Sequence, residues 1–228
     1  MAIRKLGNVE IHVVEDPVRL AAERLVEVAA RSSHIALSGG STVGRTYELA
    51  ASMLPDWSLA HVWFGDERAV PPDDERSNYR LVKTTLLDRL ERQPEAHRIH
   101  GEQPAEIAAA LYDDELDGVR LDLALNGIGP DGHTASIFPA SPALGATDLR
   151  AVAAEGGLDP FVTRVTMTPP MFLEAELLVY LVTGEAKADA VRAAFAEEPT
   201  AFAPASVIRG RRTIAILDDA AASQLPQG

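Results

Sequence analysis

Between Leu125 and Pro139 the chain reads LNGIGPDGHTASIFP, a loop that follows an apolar run and sets one imidazole among three glycines. Gly127, Gly129 and Gly132 have the G-x-G-x-x-G spacing of a turn that holds a dinucleotide's pyrophosphate at a helix N-terminus. Two residues oppose that chemistry. Pro139 cuts short the helix whose dipole would face the phosphates, and Asp131 would set a carboxylate beside them. Glu155 stands on the other side, near where a ribose-binding acid is expected. The match is partial, and the dinucleotide reading is rejected. The glycines are read instead as turning the loop sharply, so that His133 faces a cleft as a general acid–base group.

Two other loops carry groups of interest. In ALSGGSTVGRTYELA, Gly39 and Gly40 allow a tight turn and close approach to a ligand, and Ser41 and Thr42 fall at a helix start. That stretch is either a phosphate cradle or an ordinary turn with a hydroxyl N-cap. It is not a Walker A loop, because the G-K-[ST] ending is missing. In GDERAVPPDDERSNY, Asp66, Glu67 and Arg68 leave a strand end and form either a solvated run or part of a site. Asp73, Asp74 and Glu75 read as a hydrated loop, and the SNY that follows as the start of a helix. The remaining histidines, His12, His34, His61, His97 and His100, read as structural. His97 and His100 could pair on a metal, but no third ligand is apparent nearby in sequence, so no metal is expected.

The elements that must position these loops alternate along the chain. Strands are predicted at 34–38, 61–65, 98–100, 121–126, 150–154, 177–183 and 213–217, several of them apolar throughout, as strands buried on both faces are. Helices are predicted after Asp16 and Pro17, over YRLVKTTLLDRLE, over EIAAALYDDEL, after a Thr168 cap, and over GEAKADAVRAAFAEE. This order predicts an α/β fold: one domain over 1–228, three layers, a mostly parallel doubly wound sheet with helices on both faces. In such folds the site lies beyond the C-terminal strand ends, where all three loops sit.

Composition narrows the function classes. With no cysteine, disulfides, thiolate nucleophiles and cysteine-bound zinc are excluded. A net charge of −13 argues against nucleic acid as a partner, though a few arginines can still bind a small anion. No stretch is long and apolar enough for a bilayer, and the N-terminus does not read as a signal peptide, so a cytoplasmic address is expected. Monomer and homodimer both remain open.

SGGST…Y, GDERAVP…SNY and LNGIGPDGHTASIFP, in this order and at these separations, closely resemble the 6-phosphogluconolactonases. RVTMTPP (164–170), LVTGEAKADAV and PASVI agree with that pattern, so the resemblance spans nearly the whole chain. Val43, Asn126 and the FPAS stretch depart from it, all at positions of loop packing. The related glucosamine-6-phosphate deaminases resemble G-x-N-G-H-I-A and D-E-Y, where this chain has Asp131 and Arg68. The resemblance implies hydrolysis of a small sugar-phosphate lactone in the oxidative pentose phosphate pathway, without cofactor or metal. His133 is then the expected base, Asp66 the group that orients it or the water, and Arg68 the group facing the developing oxyanion or a sugar hydroxyl. Gly39, Gly40, Ser41, Thr42, Asp131, Gly132, Arg164 and Lys187 form the expected substrate- and phosphate-binding set.

Overall fold

The structure, a computed structural model, describes residues 2–159 and 161–226. It opens with a hairpin, β1 (Ala2–Leu6) antiparallel to β2 (Val9–Val13). Helix α1 (Pro17–Ala29) then starts as expected. Asp16 accepts a hydrogen bond from the Arg19 amide at 3.0 Å, and Pro17 fills the first helical turn, where its missing N–H is no loss. Ala21, Ala22, Leu25, Val28 and Ala29 form its buried stripe.

Strand β3 (Ser33–Leu37), helix α2 (Ser41–Met53), strand β4 (Ala60–Phe64) and the short β5 (Asp66–Arg68) follow. Then come α3 (Asn78–Thr85), β6 (Glu95–His97), α4 (Ala105–Glu115), β7 (Leu123–Asn126) and β8 (Ala151–Ala154). The chain closes with β9 (Arg164–Met167), α5 (Pro169–Leu173), β10 (Leu177–Val182), α6 (Ala188–Phe195) and β11 (Arg212–Leu217).

The main sheet has the order β1-β2-β11-β10-β7-β3-β4-β6, and only the β1–β2 pair is antiparallel. This is the expected doubly wound α/β sheet. The winding reverses between β3 and β7, which opens a crevice at their C-terminal ends. Two buried tyrosines fasten the strands there. The Tyr47 hydroxyl on α2 donates to the Ser38 carbonyl at 2.7 Å and accepts from its amide at 3.0 Å. Tyr112 on α4 does the same for Phe64, at 3.1 and 2.8 Å.

Several expectations are corrected. The strand placed at 98–100 lies at Glu95–His97, in register with His61–Trp63, and the chain then turns through a Gly101-to-Ile99 hydrogen bond of 3.0 Å. The strand expected near 150–154 belongs to a second sheet, β5-β9-β8, which is antiparallel throughout. The helix expected over 79–91 breaks at Leu86 (φ −125°, ψ −70°) into a 3-10 turn. Thr168 is the N-cap residue of α5, as expected, but its hydroxyl donates to the Leu149 carbonyl rather than capping with its side chain. The helix expected to start after Gly184 begins as a 3-10 turn at Glu185–Lys187. The hairpin β1–β2 and the strands β5 and β9 were not foreseen.

Asn126, the last residue of β7, is fully buried, and neither of its side-chain amide atoms has a hydrogen-bond partner. An unpaired buried amide costs about 1–3 kcal/mol. Asn126→Leu therefore stabilises the fold by roughly that amount, read as a rise in the urea midpoint at unchanged slope.

Candidate active site

A cavity of about 420 Å³ lies at the crevice between β3 and β7. Gly39, Asp66, Arg68, His133, Arg164 and Lys187 line it, six of the expected site residues brought together from five loops and strands. Ser38, Asn78, Ser136, Phe138, Leu158 and Asp159 also contribute to its walls.

The loop after β7 explains its own glycines. The Gly132 amide donates to the Gly129 carbonyl at 3.0 Å and the Gly129 amide to the His133 carbonyl at 2.8 Å, closing a tight turn with Gly132 at φ +83°. The imidazole of His133 lies directly on Gly129. A Cβ there would sit 2.0 Å from both its Cε1 and its Nδ1. Glycine at 129 thus makes room for the catalytic candidate rather than for a pyrophosphate. A Cβ on Gly127, by contrast, would meet nothing nearer than the Leu181 carbonyl at 4.0 Å. Ala135, also in the cavity wall, is held at φ +49°, a left-handed conformation that costs a side-chain-bearing residue about 1–2 kcal/mol.

His133 is held by Asp131. Its Nδ1 lies 2.5 Å from the Asp131 carboxylate, which also accepts from the His133 amide at 3.2 Å. A carboxylate at Nδ1 fixes the proton there and leaves Nε2 as the basic nitrogen. Burial alone would raise the Asp131 carboxyl, but the hydrogen bond and charge of His133 outweigh it and hold the group below its ordinary value. The contact with His133 expected of Asp66 is thus made by Asp131, two residues away on the same turn.

Asp66 faces different partners. It is buried, accepts from Asn78 Nδ2 at 3.0 Å and from the Ser136 hydroxyl at 2.5 Å, and so ties α3 and the loop after His133 to one wall. Glu67 points the other way. It accepts from the amides of Arg68, Asn78 and Tyr79 at 2.7 Å each and from the Ser77 hydroxyl at 2.9 Å, which anchors the start of α3. Its carboxyl is pushed up by burial despite those four donors.

Arg68 and Arg164 are direct cross-strand neighbours on β5 and β9. Like charges so placed repel and favour an anion between or above them. Burial, and then the neighbouring Arg68, lower the Arg164 pKa from its ordinary value. Arg68 Nε and the Ser38 hydroxyl are buried in the cavity wall without a protein hydrogen-bond partner. Lys187 is likewise lowered by burial, in part offset by Asp131. Gly40, Ser41 and Thr42 sit at the start of α2, outside the cavity wall. Ser41 is exposed, Thr42 pairs with the Thr183 hydroxyl at 3.1 Å, and no side chain caps the helix. Gly132 lies beneath the histidine, packed against Ala203.

A family model described as glucosamine-6-phosphate isomerases/6-phosphogluconolactonase matches residues 11–216, which include every residue of this cavity. The chain belongs to that family. The 6-phosphogluconolactonase of Streptomyces coelicolor is 34% identical over 91% of this chain and 90% of its own. That of Haemophilus influenzae is 37% identical over 70% of this chain and 72% of its own. Among solved structures, the 6-phosphogluconolactonase from Thermotoga maritima superposes with a TM-score of 0.83 at 27% identity, covering 92% of this chain and 99% of its own. That from Trypanosoma cruzi gives 0.83 at 26% identity over 100% of both chains. Within this family's fold, sequence reasoning missed Ser38, Asn78 and Ser136. The signal for Asn78 was present in SNY, whose serine caps α3 through the Arg80 amide at 3.1 Å while its asparagine turns to Asp66. No described helix is long and apolar enough to cross a membrane.

Proposed function

We propose that this chain hydrolyses 6-phospho-D-glucono-1,5-lactone to 6-phospho-D-gluconate, with His133 activating the attacking water and no covalent intermediate. The observation that carries the reading is the His133–Asp131 pair, 2.5 Å apart, in a cavity that also holds Arg68, Arg164 and Lys187. An oriented base and a group of cations are what hydrolysis of an anionic cyclic ester needs.

Neutral His133 takes a proton from water at Nε2 as the water oxygen bonds to C1 of the lactone. The carbonyl becomes an oxyanion, faced by Arg68. When the oxyanion collapses, the bond from C1 to the ring oxygen breaks, and the imidazolium returns its proton to that oxygen. One water is consumed and His133 is restored. Asp131 favours the imidazolium throughout. Ser136 offers a hydroxyl in the cavity wall, but it donates to Asp66, and no G-x-S-x-G elbow presents it as a nucleophile.

The phosphate is held by Arg164 and Lys187, with the uncapped first turn of α2 behind Gly39 and Gly40 adding backbone donors. Ser41 and Thr42 act there through their amides, since the Thr42 hydroxyl is engaged by Thr183. The substrate is a small sugar phosphate of the oxidative pentose phosphate pathway, met in the cytoplasm.

The test is 6-phosphogluconate release from freshly generated lactone against the spontaneous rate. Acceleration supports the reading. No acceleration, with ammonia released from glucosamine 6-phosphate, overturns it. Arg164→Gln separates phosphate binding from chemistry. A hydrogen bond to a charged group contributes about 1.5–3 kcal/mol, so KM for the phosphorylated lactone rises about 10–100-fold. The unphosphorylated lactone, which lacks that contact, changes far less.

A further inference from the structure

Outside the cavity, strand β4 and the edge strand β6 bring three ligand-type side chains together. His61, at the second position of β4, lies across from Glu95, and Trp63 across from His97. His61 Nδ1 and His97 Nε2 are 3.0 Å apart. The Glu95 carboxylate reaches to 3.5 Å from His61 Nδ1 and 3.8 Å from His97 Nε2. The two imidazole nitrogens thus face one carboxylate edge-on, Glu95 Oε2 lying 3.5 Å from His61 Nδ1 and Oε1 3.8 Å from His97 Nε2. Zinc with ligand arms of about 2.0–2.2 Å in tetrahedral geometry needs edges of roughly 3.3–3.6 Å.

The surroundings fit that use. His97 Nδ1 lies 2.6 Å from the Glu115 carboxylate on α4, which places its proton at Nδ1 and turns the Nε2 lone pair toward His61. A carboxylate behind a ligating histidine is the usual outer partner of a bound zinc ion. The rings are fixed by packing. His97 stacks on Trp63 at 3.9 Å, and His61 stacks on His34 at 4.7 Å. His34 in turn accepts from Trp63 Nε1 at 3.0 Å, so its ring is held as a neutral wall. The ligand side is open: the His61 side chain is 33% exposed and that of Glu95 67%, leaving room for water as a fourth ligand.

We infer that His61, Glu95 and His97 form a divalent-cation site of zinc type, outside the candidate active site, that fastens the edge strand β6 to β4. The pair expected to be structural in sequence, and the metal pairing considered for His97 with His100, are both revised. His100 turns to Glu102 at 3.4 Å, and the missing third ligand comes from a strand 34 or more residues earlier. The site is small and carries no cavity deep enough for a substrate, so its effect is on stability. A three-residue edge strand paired on one side only gains most from such a clip.

The experiment is titration of the full chain with ZnCl2, followed by calorimetry and by the imidazole resonances in 1H–15N spectra, with CoCl2 as an optical probe. One zinc ion binds per chain, the His61 and His97 nitrogens shift, cobalt gives the intense visible bands of a tetrahedral site, and the melting temperature rises. His61→Asn abolishes the binding. Glu95→Gln, at an exposed position that leaves the fold intact, weakens it, and Glu115→Gln weakens it about 10–100-fold. His133→Asn leaves it unchanged. Zinc that binds only while His133 is present overturns the inference. So does the absence of saturable binding, with the His61 and His97 resonances staying those of a hydrogen-bonded pair.

Discussion

His133→Ala lowers kcat for lactone hydrolysis about 10²–10⁴-fold, toward the spontaneous rate, and leaves the affinity for 6-phosphogluconate nearly unchanged. The size follows from the chemistry assigned to one ring. In the proposed mechanism it takes the proton from water before the tetrahedral intermediate and returns it to the ring oxygen afterwards, so its loss removes both steps. The remaining acceleration comes from Arg68 and the bound phosphate, which act without proton transfer. The measurement is single-turnover product release from fresh lactone, together with calorimetric binding of the product to both forms. Unchanged turnover in the variant would assign the base elsewhere. Lost binding would show that the ring shapes the cavity rather than the reaction.

Asp131→Asn has the second largest effect, a fall in kcat of about 10²-fold or more with KM little altered. The carboxylate accepts from Nδ1 at 2.5 Å; an amide in its place can offer its own N–H and invert the imidazole tautomer, leaving the proton on Nε2. The base is then present and misprotonated. Because Asp131 is held below its ordinary value, it stays charged to lower pH than a free carboxyl. Its hold on Nδ1 therefore persists to lower pH than that of a free carboxylate would. Asp66→Asn provides the contrast. Its partners are Asn78 and Ser136, so it disturbs one wall and lowers the rate less. If Asp66→Asn were the more damaging of the two, the orienting role would return to Asp66.

The difference between these carboxylates also marks where the sequence stopped being legible. Alternation of apolar runs and amphipathic stretches was enough for the doubly wound sheet, because buried parallel strands must be apolar on both faces. Strand ends were enough to select the three loops. The choice between Asp66 and Asp131 depended on a turn closed by two backbone hydrogen bonds, which no spacing rule encodes. Arg164 became interpretable only as the partner of Arg68 across β5 and β9, strands of three and four residues that look like loop in the sequence. The pairing of His61 with His97 was hidden for the same reason. Ligands brought together by neighbouring parallel strands are separated by a whole helical crossover, so the usual short metal-ligand spacings never appear.

The tyrosine latches bear on how the protein opens. Ser38 and Phe64 each have both backbone polar groups held by a phenol that is itself buried, so those strand ends belong energetically to the core. Opening them exposes the aromatic interior and requires something close to global unfolding. The turn that carries His133 is fastened too: its Gly132 carbonyl accepts from the Ala205 amide at 3.0 Å, the Thr134 hydroxyl donates to the Gly127 carbonyl at 3.1 Å, and the Ser136 hydroxyl donates to Asp66. Floor and wall of the cleft are thus both tied to the rest of the fold, so a ligand meets a cavity whose shape is set before it arrives.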